Sequence, residues 1–439
     1  MLHYLPSLLL FGLVAGAFFL SSRYFGHLLS PFSVFYGIWF FTLGLYHLRW
    51  VEYTPVRSYV WTLITLNLGM FGLGWLLAYL FCAPTWSRRR LEFSTQWISP
   101  ERLLKVIFLF FFLGMIGLAD FLWQVKATVG LNTYWDSPHE IRWEMQLGGA
   151  LTERFQLFCW LNVACIVLGM FYLTVLKGSR RRAIWLIVIV STFATFLVID
   201  RSRFFCAALW TSYVLAHARS WKARKVLTTG LVVGVLLMLQ FFAIAAWIGK
   251  MAINNPELLG AATLDESYFA FLSPYTYLTG NIPALQAYID SVPESTTGAM
   301  TFHPVFKVAH MVDPTIKVPD YVAEPYSIPM EFNTFTWLHP FYSDFGFAGI
   351  LLGPWVVGLL AGLMYFQMRR SYSFYSLYAN GLLCYGLTLS VIGNQLTQGP
   401  LWYLLAIGIP IARFVRNPGQ TEASAVKHDL RRRNLELNA

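Results

Sequence analysis

Apolar residues in this chain gather in long unbroken runs and do not alternate with polar ones. Eleven such runs stand out, at 2–21, 31–48, 59–82, 103–122, 156–176, 183–199, 204–217, 227–249, 345–367, 374–393 and 401–415. A run of roughly 17–25 apolar residues matches a helix crossing a hydrocarbon layer of about 30 Å. Barrel strands would show a two-residue period instead. The pattern therefore predicts an all-α polytopic membrane bundle of about eleven transmembrane helices. The runs at 183–199 and 204–217 are short and separated by a tight polar turn, so a hairpin dipping part way is an alternative there. The first run follows no basic segment and ends at no small-residue cleavage site, which predicts a retained helix and not a signal peptide.

One long polar stretch breaks the series. The implied division is residues 1–249 with eight membrane helices, 250–344 as a loop or cap, 345–416 with three more helices, and 417–439 as a basic tail. The cap segment holds nine acidic side chains between Glu257 and Glu331, against Lys307 and Lys317 as its bases in that interval. Its prolines exclude one long helix but allow short ones, such as 281–290. Its tyrosines, phenylalanines and carboxylates suit carbohydrate, whose apolar faces stack on rings while hydroxyls find acceptors.

Composition sharpens the orientation. Of 439 residues, 57% are hydrophobic and 12% charged, and the net charge is +10. The excess is not a nucleic-acid-binding stripe. Basic residues cluster at the ends of runs, at 88–90, at Lys177 with 180–182, at 219–225, at 369–370 and from Arg413 to Arg433. Placing all of them on the cytoplasmic side puts the C-terminus inside and the N-terminus outside. Residues 49–58, 124–155, 200–203, 250–344 and 394–400 then face outward. The five cysteines lie in or beside apolar runs and read as buried small hydrophobes, with no disulfide or metal spacing.

Arg142, Arg154, Arg201 and Arg203 are exceptions to the charge rule, lying on the outer side. An arginine at a membrane boundary can simply snorkel. Held on the outer face, Asp200-Arg201-Ser202-Arg203 also suits a phosphate or pyrophosphate, because guanidinium forks match phosphoryl oxygens and stay charged in a dry cleft. Asp200 can fix one arginine or cap the following helix. Arg142 is either paired with Glu140 and Glu144 or a third cation for the same anion; Lys126 and Arg154 are weaker candidates. The segment 331–349, EFNTFTWLHPFYSDFGFAG, ends the cap and enters an apolar run. Within it Asn333, Tyr342 and Asp344 are candidate substrate contacts, and His339 carries the side chain whose ordinary pKa suits proton transfer near neutrality. His339 can equally shape a turn before Pro340, and Asp344 can orient a loop or cap a helix. Gly346 and Gly349 permit close helix approach. His303, His310 and Asp313 match no standard metal spacing. Nucleotide-binding, serine-nucleophile and zinc-protease motifs do not occur.

The RSRF turn at 201–204, the late large loop and NTFTWLHPFYSDFGFAG at 333–349 together resemble the Wzy-type O-antigen and oligosaccharide repeat-unit polymerases, over most of the chain. The resemblance implies a GT-C-like membrane glycosyltransferase at the periplasmic face of the bacterial inner membrane. Such an enzyme moves a glycan from undecaprenyl pyrophosphate onto a new lipid-linked repeat, with inversion and without metal or nucleotide. By the same likeness Arg142, Arg201 and Arg203 match anion-binding arginines, and His339 a loop histidine. Expected partners are undecaprenyl-pyrophosphate-linked oligosaccharides, membrane lipids and a chain-length regulator, with no cofactor and no nucleic acid. Alternatives are a ligase that hands glycan to lipid A-core, a flippase for lipid-linked oligosaccharide, and a membrane acyltransferase.

Overall fold

The computed structural model describes residues 4–82, 93, 95–143, 156–247, 254–291, 294–319, 325–371 and 373–417; the side chains at His139, Arg142, Trp143, Gln156 and Arg201 lie outside that description. The fold is all-α apart from one two-stranded ribbon. In chain order the first helices are α1 (Leu5–Tyr24), α2 (Pro31–Tyr46), α3 (Ser58–Cys82), α4 (Pro100–Thr128), α5 (Leu131–Asp136) and α6 (Pro138–Trp143). Then come α7 (Gln156–Phe171), α8 (Arg181–Leu197), α9 (Arg201–Ala218) and α10 (Ala223–Trp247). The cap contributes α11 (Pro256–Gly260), α12 (Leu272–Thr279), α13 (Asn281–Asp290) and α14 (His303–Val312), with strands β1 (Tyr326–Ser327) and β2 (Glu331–Phe332). Helices α15 (Leu338–Ser371), α16 (Phe374–Thr388) and α17 (Gly399–Val415) complete the chain.

Every apolar run contains a helix, yet the expected eleven-helix membrane bundle, and the GT-C-like architecture drawn from it, is corrected by the lengths. Among the described residues six helices are long and apolar enough to cross a membrane: Leu5–Tyr24, Ser58–Cys82, Pro100–Thr128, Leu157–Leu176, Ala223–Trp247 and Leu338–Ser371. Helix α2 has 16 residues and α17 has 17. At 1.5 Å per residue both fall short of a hydrocarbon layer of about 30 Å. Helix α9 carries Arg203 in its first turn and His217 in its last, and α16 stops after 15 residues. The helices pack extensively on one another: α3 lies along α15, α1 on α2, α4 on α7, and α9 against both α7 and α16.

The interruption after α16 is a structural feature in itself. Residues 389–398 form two 3₁₀ turns, Leu389–Val391 and Gln395–Thr397, before α17 begins. The sequence places 394–400 on the outer surface, but Asn394 and Thr397 are each 2% exposed. Trp337 fastens this loop. Its backbone N–H donates to the Ser390 carbonyl at 2.8 Å, its carbonyl accepts from Asn394 Nδ2 at 3.1 Å, and its indole N–H donates to Asn67 Oδ1 at 3.0 Å. The Trp337 ring also packs on Phe35 of α2 and Phe71 of α3. Irregular backbone this deep among apolar helices persists only with its polar groups bonded.

The helix expected at 281–290 is present as α13. The cap rests on the α2–α3 connection: Val51 bridges to Ala262, Tyr53 hydroxyl bonds Thr279 at 2.7 Å, and Arg57 pairs with Asp290 at 3.1 Å. The α2–α3 connection and the described part of the cap thus meet. Helix α15 is bent at Gly346, whose φ of 55° is open to glycine and strained for other residues. Residues 338–345 form a short polar arm under the cap, and the apolar stretch that can cross a bilayer is 347–371.

Close packing of α3 on α15 sets a test. A Cβ on Gly358 would lie 2.2 Å from the Phe71 carbonyl oxygen, whereas one on Gly69 meets nothing within 4 Å. Gly358→Val is expected to destabilise the protein by roughly 1–3 kcal/mol or prevent folding. Gly69→Ala should stay within about 1 kcal/mol of wild type. Thermal unfolding in detergent reads both, and an unshifted midpoint for Gly358→Val rules out this helix contact.

Candidate functional site

The turn between α8 and α9 builds the first half of the site. Ile199 adopts φ 56°, a conformation disfavoured for a β-branched residue, immediately before Asp200. Asp200 then caps α9: its Oδ1 accepts from the Ser202 N–H at 2.9 Å and the Ser202 hydroxyl at 2.6 Å. Its Oδ2 accepts from Arg203 Nε at 3.3 Å. Arg203 is 2% exposed and its guanidinium sits 5.3 Å from the Trp160 ring centroid, a cation–π arrangement. Its Nη1 is buried without a hydrogen-bond partner among the described residues. A guanidinium held over a ring, with a carboxylate at one edge and an unmet donor at another, is disposed to accept an anion.

Arg201 occupies the first position of α9, and its side chain lies outside the described residues. The same holds for Arg142, on α6, while Arg154 falls wholly outside them. The backbone beside Arg142 is informative. Ile141 is fully buried in one apolar cluster with Cys159, Val198 and Ile199, so α6 shares its support with the Asp200 turn. The Tyr134 hydroxyl adds to this by donating to the Leu197 carbonyl. Lys126, by contrast, lies over its neighbour Trp123.

Sequence reading passed over Asp120. It sits inside the apolar run of α4, accepts from Gln124 Nε2 at 2.5 Å, and its charge, like that of Arg203, reaches the Cys159 thiol. The signal was present, since an acid within a membrane-length apolar helix marks a functional position by default.

The second half is the arm 338–345. His339 is 7% exposed, with its ring stacked on Phe335 at 4.6 Å and edged by Tyr288 at 4.3 Å. Burial lowers its pKa to about 4, with the Asp344 carboxylate opposing the shift. The ring is therefore neutral at pH 7, an acceptor or donor of hydrogen bonds and only a weak base. Asp344 holds a loop in place. Its carboxylate accepts from the backbone N–H groups of Met300 at 3.2 Å and Thr301 at 2.5 Å, and from the Thr296 hydroxyl. Tyr342 is half-buried beside Tyr59, and desolvation first, then Tyr59, raise its pKa to about 12. Asn333 is exposed where β2 ends.

His339 and Arg203 share no contact among the described residues, but one segment joins them. Residues 389–398 are tied to Trp337, two residues before His339. They are tied equally to the Arg203 turn through Tyr385, whose hydroxyl reaches Gln395 Oε1 at 3.2 Å and the Ser202 carbonyl at 3.4 Å. Asn67, Ser390, Asn394 and Gln395 are thus part of the site's frame, visible in sequence only as scattered amides and hydroxyls. His310 bonds the Ile316 carbonyl and Asp313 bonds Thr315, both locally. Among the described residues no three His, Cys, Asp or Glu side chains are grouped to hold a metal. No family model, curated protein or solved structure matches the chain.

Two outcomes check this geometry. Between pH 6.5 and about 4 the unfolded chain binds a proton that folded His339 refuses, so the native state loses stability as pH falls through that window. The loss amounts to roughly 3 kcal/mol and should be absent in His339→Gln, as read by melting at pH 7 and pH 4.5. Asp344→Ala leaves the buried Met300 N–H and the half-buried Thr301 N–H without their acceptor, at about 1–3 kcal/mol for the buried group. Limited proteolysis should then cut at 296–301 at least tenfold faster; unchanged protection means that Asp344 is not the anchor.

Proposed function

We propose that the chain is a membrane glycosyltransferase that polymerises undecaprenyl-pyrophosphate-linked repeat units. On this reading it lies in a bacterial inner membrane, with the site facing the periplasm. The observation that carries the reading is Arg203: a buried guanidinium over Trp160, steadied by Asp200, with an unmet donor. A pyrophosphate bound there, with Arg201 and Arg142 supplying further charge, meets positive charge where negative charge grows in the transition state. The bond between the anomeric carbon and the phosphate oxygen breaks. The acceptor hydroxyl bonds the same carbon from the opposite face, inverting it, and undecaprenyl pyrophosphate leaves with the electron pair.

The role of His339 follows from its environment. A neutral, weakly basic imidazole orients the acceptor hydroxyl by accepting its hydrogen bond. It takes the proton late, once the forming C–O bond has made that hydroxyl strongly acidic. On this reading Tyr288, Phe335, Tyr342 and Asn333 border the acceptor sugar, with rings for its apolar face and an amide for its hydroxyls.

Purified protein given synthetic undecaprenyl-pyrophosphate-linked repeats should make a size ladder without any nucleotide sugar. Arg203→Ala is expected to slow ladder formation by about 100-fold or more. His339→Ala should slow it by about tenfold to 100-fold, and the wild-type acid limb should fall near pH 4 and not near 6.5. A full-rate ladder from Arg203→Ala sinks the site assignment. Absence of product with repeats of matched structure sinks the polymerase reading, and transfer of single glycans to lipid A-core would replace it with a ligase.

A further inference from the structure

A cleft of about 490 Å³ lies at the end of the bundle where α17 stops and α16 and α4 begin. One wall is the first turn of α16, at Phe374 and Tyr375, and another is the last turns of α17, at Ile409 and Ala412. The third is the short turn Thr95–Trp97, with Trp97 and Ile98 in the lining. The floor is apolar and aromatic, while Arg413 and Arg416 stand exposed on the rim. Among the described residues the lining includes no acidic side chain.

The walls are anchored to one another. Ile98 pairs with Arg416 as an isolated bridge, the Ser99 N–H donates to the Val415 carbonyl at 2.8 Å, and the Asn417 N–H donates to the Trp97 carbonyl at 3.0 Å. Arg102 donates to the carbonyls of Phe414 and Arg416 at 3.3 and 3.1 Å, closing the ends of α17 and α4 together. Arg413 and Arg416 are both exposed beside this closure. Helix α4 is one of the six helices able to cross a membrane, and it begins at this cleft, which puts the cleft at one end of a candidate span.

We propose that this cleft is a binding site for an anionic glycerophospholipid, with the phosphodiester between Arg413 and Arg416 and an acyl chain along Phe374, Ile409 and Ala412. Charge complementarity selects the occupant. Two exposed guanidinium groups favour a phosphate that carries net negative charge over a zwitterionic headgroup, and an apolar floor rewards a chain that free phosphate lacks. A basic cleft between helix ends on the cation-rich side of a bundle is the physical setting in which anionic headgroups are held. The inference is independent of the transferase reading, because the cleft shares no residue with the Arg203 or His339 sites.

The test is native mass spectrometry of the full chain in neutral detergent, titrated with dioleoyl phosphatidylglycerol or dioleoyl phosphatidylcholine. Wild type should retain phosphatidylglycerol preferentially. Each of Arg413→Gln and Arg416→Gln should weaken retention about fivefold, and the pair together by more. Ala412→Phe, which fills the floor and keeps both charges, should also reduce it. Arg181→Gln with Arg182→Gln, an exposed basic pair elsewhere, should leave it unchanged. Equal retention of the two lipids by wild type, or full retention by the Arg413→Gln/Arg416→Gln protein, would overturn the proposal. So would complete displacement by 50 mM (about 0.05 M) inorganic phosphate, which would mark a simple anion site.

Discussion

Backbone polar groups placed deep among apolar helices must find partners inside the protein, and Trp337 is where this chain meets that demand. A single residue donates twice and accepts once, to Ser390, Asn67 and Asn394, and so joins α3, the start of α15 and the loop between α16 and α17. Trp39 adds a second indole donor to the Ser390 hydroxyl at 2.9 Å. With those bonds made, α16 can stop short and α17 can start afresh within the bundle. Without them the loop would carry several unmet donors and acceptors, each costing about 1–3 kcal/mol. Both halves of the candidate site hang on this junction, since the His339 arm begins one residue after Trp337 and the Arg203 turn is tied back through Tyr385 and Gln395.

The two halves differ in how they hold their key group. Arg203 is held in a buried position by one carboxylate and one aromatic face, an arrangement that holds the guanidinium without satisfying all its donors. His339 is kept neutral by two rings, with Asp344 spending its carboxylate on the 296–301 loop. A cation with spare donors and a neutral imidazole are complementary tools for a reaction in which negative charge leaves and a hydroxyl arrives. Asp120 fits the same logic from the apolar side, bringing a carboxylate within electrostatic reach of Cys159 beside the arginine.

Much of this could be read from the chain, and the limits have physical causes. The apolar runs located helices well, because burial or lipid contact along a helix needs nothing beyond composition. They did not distinguish a helix that crosses from one that stops inside, because α16 and α17 are as apolar as the others and differ by a polar loop whose burial depends on partners in α2, α3 and α15. Asp344 reads in the sequence as a substrate contact or a loop-orienting group, and its bonds to Thr296, Met300 and Thr301 could be seen only in the fold. The ordinary histidine pKa suggested a base near neutrality, and only the packing of Phe335 and Tyr288 reveals a weaker one.

The sequence by itself determined the helical class, the uneven placement of basic residues, the separate cap and the unusual Asp200–Arg203 turn. These are local properties, set by hydrophobicity, proline and charge along the chain. Tertiary structure alone decided which helices are long enough to cross a membrane, that residues 389–398 turn inward, and that Arg203 lies over Trp160. It also decided that Arg413 and Arg416 share a cleft with Trp97. These contacts join residues well separated along the chain, and no local pattern encodes a distance across the bundle.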